Sequence, residues 1–360
     1  MSERERIIKA FIGGAGWGDA LRAAVPGDAS ARRYERLTLG DRRAVLMDAP
    51  LSSDLPPEPD GATAEARAAL GYVAQARLAG ADPAAFLCIA SELSQRGFSA
   101  PRILAADVDE GLILLEDLGA DLFAPIVTGE RTMERPLYTA AVDCLASIYR
   151  SSFPQDFAYG DTRWRVKDYD ETALLAEMSL MTDWYAPDTG VVLSDTAMDE
   201  WTQLWSQAFT QISNHAPGLA LRDFHAENIF WMPERAGTAN VGLIDFQDAL
   251  MTHPSYDLAS LIEDIRRDVS ANLTDDLIAR FCGQAGLKYD DDFRAAYAVM
   301  GAQRSTKLLG FPVRADKAYG KPQYRALLPR VKRHLNNSLA HDVMGDIRDW
   351  YGRYVPEVLS

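Results

Sequence analysis

Three oxygen-bearing side chains stand at a spacing that could do chemistry: Asp223, Asn228 five positions later, and Asp245, which follows the apolar run VGLI. The first two lie in LALRDFHAENIFW, residues 219–231, whose flanks are apolar enough to be buried. Burying charged groups without partners is costly, so the polar residues of this run either satisfy one another or serve a ligand. A carboxamide and a carboxylate suit a hard cation such as Mg2+, and a remaining carboxylate can take a proton from an attacking hydroxyl. Phosphoryl transfer from ATP needs that combination. Any one of these residues alone would more simply cap a helix or close an Asx-turn; all three together point to a site.

Residues of this kind have to be delivered from strand ends. NIFWM and NVGLI predict two short strands flanking the loop PERAGTA, with Asp223 and Asn228 ahead of the first strand and Asp245 just past the second. Upstream, ARRYERLTLGDRRAVLMDAP predicts a hairpin about Gly40 and Asp41, and PRILAADVDEGLILLEDLG a second hairpin turning at 109–111, with a helix over 83–96 between them. RERIIKAFIGGAGWG predicts an amphipathic helix whose trailing glycines cap it; the spacing and preceding strand of a dinucleotide loop are lacking. After Gly119, helical periodicity dominates, over 136–149, 171–185, 197–212, 255–269, 275–285, 291–309 and 327–351. The expectation is an α+β chain: a small antiparallel β-rich lobe over 1–118 and a larger, mainly helical lobe over 119–360 carrying the catalytic loop and acceptor site.

Composition narrows the ligands. The 360 residues, 48% hydrophobic and 25% charged, describe a globular protein with room for two cores. A net charge of -15 argues against nucleic acid and against an anionic membrane surface, so an anionic ligand must meet a local positive patch. Cys88, Cys144 and Cys282 are too scattered for a disulfide framework or metal cluster and suit a reducing compartment. No signal peptide or membrane span is legible, which makes a cytoplasmic protein the expectation, with no obligate protein partner. The sequence also lacks a P-loop, a G-x-S-x-G elbow and histidines at metal-ligand spacing, which removes hydrolase and zinc-enzyme readings.

LRDFHAENI followed by LIDFQD resembles the catalytic loop and metal-binding Asp of the protein-kinase-like phosphotransferases, in the form seen in aminoglycoside phosphotransferases and choline kinases. The resemblance implies a protein-kinase-like two-lobe fold with ATP and Mg2+ as cofactors. Asp223 would orient or deprotonate the acceptor hydroxyl, and Asn228 and Asp245 would hold metal on the β- and γ-phosphates. It further implies that Asp257, in HPSYDLASLIED, hydrogen-bonds the catalytic loop from a helix start. The chain departs from the pattern in one respect: the phosphate-binding lysine of the third strand is absent. Met47 stands near its place, Lys9 is the only lysine before Lys167, and Glu92 is ill placed to be the usual carboxylate partner. Arg32, Arg33 or Arg36 of SARRYER could supply the missing charge, the plain alternative being arginines solvated on an outer strand face. Ser30, in the loop before that strand, would add a phosphate donor, and adenine would meet the backbone around Glu116 and Leu118.

Two more segments, DETALLAEMSLMTDWY and GAQRSTKLLGFPVR, make the chain similar over most of its length to the bacterial anomeric kinases that phosphorylate N-acetylmuramate and N-acetylglucosamine at C1 in cell-wall recycling. The implied partners are a small amino sugar and ATP. Glu177, Asp183, Trp184 and Tyr185 offer carboxylates and aromatic surface on one helix end, and His225 either touches substrate or orients the loop. Arg304 and Lys307, at i and i+3, would meet the lactyl carboxylate of N-acetylmuramate. The apolar stripe through 174–185 equally has the spacing of a core-facing helix. Two other functions stay open: the same chemistry on an aminoglycoside or choline-like alcohol, which the acidic balance favours, and a weakly active nucleotide-binding regulatory module, suggested by the missing lysine.

Overall fold

The computed structural model describes residues 2–25, 32–50 and 56–360. They form two compact units that interleave along the chain. One comprises Met1–Met133, Pro154–Val166 and Glu227–Asp248, the other Glu134–Phe153, Lys167–Ala226 and Ala249–Ser360. This packing division differs from a single boundary after Leu118, because the later segments 154–166 and 227–248 group with the N-terminal one.

The first unit is built on a five-stranded antiparallel sheet of order β1-β2-β3-β5-β4, with β1 Leu21–Val25, β2 Arg33–Leu39, β3 Arg42–Asp48, β4 Ile103–Asp107 and β5 Leu112–Glu116. Both expected hairpins form. Gly40 turns β2 into β3 in a left-handed conformation that suits glycine. Strand β1 was not legible: LRAAV is largely exposed, and it exists by pairing with β2. The helix Glu3–Gly14, capped by the Ser2 hydroxyl, packs Ile8 and Ile12 against Leu37, Leu46 and Leu114 of the sheet. The helix Pro83–Gln95 starts on an Asp82 cap with proline at its first turn. Two short helices, Ala64–Leu70 and Tyr72–Gln75, precede it without having been expected.

The hairpin of Ile229–Trp231 and Val241–Leu243 belongs to this unit and carries Asn228 and Asp245 at its ends. It is tied in by main-chain bonds from Leu243 N–H to the Ser99 carbonyl (2.9 Å) and from Trp231 N–H to the Asp121 carbonyl (2.7 Å). Phe246 stacks on Phe86 with ring centroids 5.0 Å apart, which anchors the residue next to Asp245.

The second unit is mainly helical around a core that includes Trp201, Trp205, Trp350 and Tyr351. Its helices depart from the periodic expectation where local chemistry intervenes. The helix expected over 255–269 ends at Ile262; beyond it the Asp264 carboxylate accepts the Arg266 N–H at 2.8 Å and turns the chain. The helix expected over 291–309 runs on to Tyr319 through Pro312. The helix Glu171–Leu180 passes into a π-helical turn at Met181–Tyr185, and the span 327–351 splits into Leu328–Leu339 and Gly345–Tyr354. A short antiparallel pair, Gly218–Ala220 with Leu250–Thr252, delivers the chain to Asp223. Among the described residues no helix is long and apolar enough to cross a membrane.

Candidate active site

In the helical unit, the chain leaves Ala220 and enters the loop that carries Asp223. Asp257, buried in the first turn of Ser255–Ile262, accepts the Leu221 N–H at 2.6 Å and the Arg222 N–H at 2.9 Å. Burial pushes its carboxyl up to about 7 against the pull of those two bonds. Arg222 adopts a left-handed φ of 70°, unusual for a residue with a Cβ. Its buried guanidinium donates to Glu177 and lies over the Tyr169 ring. Glu177 is 0% exposed and also accepts from the Tyr169 hydroxyl and from Lys307 Nζ, the latter at 2.7 Å.

Burial works against charge on Asp223, but Lys307, Arg222 and Arg304 outweigh it and hold the carboxyl below the ordinary range. The carboxyl is therefore ionised at pH 7. His225 donates its N–H to the Asp223 carbonyl at 3.1 Å, and its Nε2 lies 3.3 Å from Arg266 Nη1. Burial and then Arg266 push the imidazole down to about 4, so it is neutral at pH 7 and accepts from the guanidinium through Nε2. Asp223, His225, Arg304, Lys307, Glu177 and Asp257 thus all belong to this unit.

The first unit gathers a different set. Asn228 Nδ2 donates to Asp245 Oδ2 at 3.2 Å, and Gln247 Nε2 donates to Asp245 Oδ1 at 2.8 Å. Asp245 itself has a left-handed φ of 60°. Arg32 Nη1 stands 3.8 Å from Asp245 Oδ1, and Arg32 Nη2 donates to the Gly80 carbonyl at 3.4 Å. An amide and a carboxylate fit Mg2+, which takes one or two protein carboxylates and fills its octahedron with phosphate and water. Among the described residues no cluster of three or more His, Cys, Asp or Glu offers a self-sufficient metal cage.

The other residues singled out in the sequence fall as follows. Arg33 is exposed on β2, while Arg36 is held by Asp117 and by the Gly119 carbonyl at 2.8 Å, an attachment that spends its charge on the loop after β5. Met47 is buried in the sheet, and Glu92 pairs with Arg96. Glu116 is drawn below the ordinary carboxylate range: burial opposes its charge, and Arg102 and Arg235 overcome it. Leu118 is buried next to Gly242. Ser30 lies outside the described residues.

Asp183 is exposed, Trp184 packs half-buried on the helical core, and Tyr185 is only 3% exposed within it. The aromatic stripe is therefore core, and Glu177 is enclosed by its cations, so neither Tyr185 nor Glu177 presents the ligand surface expected of it. Sequence reasoning missed Arg222, Tyr169 and Gln247. Arg222 carried a signal, being a charge wedged between the buried Leu221 and Asp223.

Glu263 is another buried carboxyl, beside Tyr297 and Arg304, and burial pushes it up to about 7 from 4.5. The folded state then binds a proton that the unfolded chain releases, so this contribution is complete below the unfolded value and is lost as pH rises through the folded one. Glu263→Gln, which cannot ionise, is expected to gain stability relative to the parent as pH is raised from about 5 to about 8. Thermal melts of both proteins across that range check it, and a pH-independent difference would contradict it.

Residues 22–297 match the APH family, described as the phosphotransferase enzyme family. The chain is 38% identical over 355 residues to the N-acetylmuramate/N-acetylglucosamine kinase of Caulobacter vibrioides, covering 99% of this chain and 98% of that protein. It is 29% identical over 335 residues to the protein of the same name from Pseudomonas aeruginosa, covering 90% and 86%. Among solved structures, a choline/ethanolamine kinase family protein from Mesorhizobium loti superposes with a TM-score of 0.57 at 14% identity, over 96% of this chain and 98% of that one. The fold is thus the protein-kinase-like one expected from LRDFHAENI and LIDFQD, with an antiparallel sheet and a mainly helical remainder. The chain belongs to the phosphotransferase enzyme family.

Proposed function

We propose that the protein is an ATP- and Mg2+-dependent kinase that phosphorylates the anomeric hydroxyl of N-acetylmuramate and N-acetylglucosamine, in the cytoplasm and in the service of cell-wall recycling. The observation that carries this reading is the near full-length likeness to the Caulobacter vibrioides kinase at 38% identity. In this reading Asp223 accepts the proton of the C1 hydroxyl, and its depressed pKa keeps it ready to do so. Asn228 and Asp245 hold Mg2+, which when bound neutralises charge on the β- and γ-phosphates. Adenine rests against the backbone between Glu116 and Leu118, and Ser30 adds a phosphate donor.

Arg304 and Lys307 supply the local positive charge that an anionic acceptor needs on a protein of net charge -15. Lys307 is the more accessible of the two, with 21% of its side chain exposed against 5% for Arg304 as a residue, and it is the better partner for the lactyl carboxylate. His225 orients the loop through its Arg266 contact.

Arg32 takes the place of the missing lysine, since it is the arginine of SARRYER that stands beside Asp245. Arg32→Ala is expected to raise KM for ATP by about tenfold, and Arg33→Ala to leave it nearly unchanged. Equal values for the two variants would remove Arg32 from the phosphate site. The function itself is tested by ADP release with N-acetylmuramate, N-acetylglucosamine, an aminoglycoside and choline as acceptors. Turnover confined to the last two would keep the chemistry and discard the amino sugars.

A further inference from the structure

The residue before Asp223 is anchored by two buried acidic side chains, and only one of them, Asp257, is expected from the sequence to support the loop. Asp257 takes the Arg222 N–H. Glu177, on the helix Glu171–Leu180, takes the Arg222 guanidinium together with the Tyr169 hydroxyl and Lys307 Nζ. Gln303 Nε2 in turn donates to the Tyr169 hydroxyl at 3.2 Å. Arg222 is thus held by main chain and side chain at once, in a left-handed conformation that a residue with a Cβ keeps only when its surroundings impose it. The peptide leaving Arg222 is the one that aims Asp223.

We infer that Glu177 is a positioning residue for phosphoryl transfer: by locking the Arg222 guanidinium it fixes the direction in which Asp223 presents its carboxylate, without touching the acceptor. A fully buried carboxylate requires a cationic partner, which Arg222 supplies, and Lys307 is tied into the same knot. The inference rests on the assignment of Asp223 as the base.

The test uses the full-length enzyme at saturating Mg-ATP and N-acetylmuramate, with Arg222→Gly, Glu177→Gln and the double variant. Glycine adopts a φ of 70° without strain, and Glu177 keeps Tyr169 and Lys307 in Arg222→Gly, so that variant is suited to fold even where Glu177→Gln does not. A base misplaced by a fraction of its reach costs on the order of 100-fold, so kcat is expected to fall by about that factor in each folded single variant. KM for ATP is expected to stay within about threefold, and the double variant to be no slower than the slower single one, because coupled residues act as a unit. Melting temperatures report stability separately. A folded Arg222→Gly with kcat within about twofold of the parent would overturn the inference, as would single losses that multiply in the double variant. Asp223→Asn separates the two readings. Turnover retained in that variant removes the base and this inference with it, whereas turnover lost there but intact in Arg222→Gly removes only the inference.

Discussion

Asp223→Asn is expected to lower kcat by at least about a thousandfold while leaving ATP affinity near that of the parent, the range expected when a general base in a positioned site is lost. The substitution keeps the size and shape of the side chain and removes only its capacity to take a proton. The supports of the loop, from Asp257 to the Leu221 and Arg222 amides and from Glu177 to the Arg222 guanidinium, do not involve the altered group. The residues assigned to the nucleotide, Arg32, Asn228 and Asp245, are likewise unaltered and held by their own contacts. Single-turnover kinetics together with an ATP-binding isotherm separate chemistry from affinity. A variant that turns over at the parent rate would exclude Asp223 as the base, and one that fails to bind ATP would show that its role reaches beyond the acceptor.

The largest effect on stability is expected at Gly310. A Cβ there would lie 1.9 Å from the Leu180 carbonyl oxygen and 2.1 Å from its carbon. These are backbone atoms at the entry to the π-helical turn and cannot swing aside as a side-chain tip would. Gly310→Ala is therefore expected to cost about 3 kcal/mol or more, at the upper end of overpacking effects. Gly283 is the matched control: it too lies within a helix, Ala271–Ala285, but a Cβ there meets nothing within 4 Å. Gly283→Ala is expected to stabilise by up to about 1 kcal/mol through helix propensity alone. Urea midpoints of the two variants should therefore move in opposite directions. A shared direction would mean that the close approach at Leu180 is not a packing constraint.

The parts of the fold that were legible in the sequence are those with local causes. The Gly40 and 109–111 turns between alternating runs forecast both hairpins of the sheet, and the strands around PERAGTA were placed correctly because each is short, apolar and bounded by turn residues. Strand β1 was missed because it is held by its pairing with β2 rather than by a pattern of its own. The helix ending at Ile262 was overdrawn because periodicity continues into a segment where a single Asp264 side-chain bond turns the chain. The two packing units were out of reach for a related reason: segments distant in sequence group with the N-terminal one through bonds such as Leu243 to Ser99.

At the site, spacing singles out Asp223, Asn228 and Asp245 as candidates, since residue type and separation are what the proposed chemistry constrains. The sequence neighbours of Glu177, on the helix Glu171–Leu180, suggest a ligand carboxylate, whereas its surroundings are Arg222 and Lys307, 45 and 130 positions away. Long-range ion pairing of this kind leaves no periodic trace. Tyr185 failed for the opposite reason, because a core stripe and a binding face have the same spacing.

The central claim, transfer to the anomeric oxygen of an amino sugar, is tested most directly by phosphorus NMR of the purified protein with Mg-ATP and N-acetylmuramate or N-acetylglucosamine. A new sugar phosphate resonance coupled to the anomeric proton is expected, formed with ADP and absent from the Asp223→Asn reaction. A phosphate on another hydroxyl, or ATP left intact beside both sugars, would contradict it.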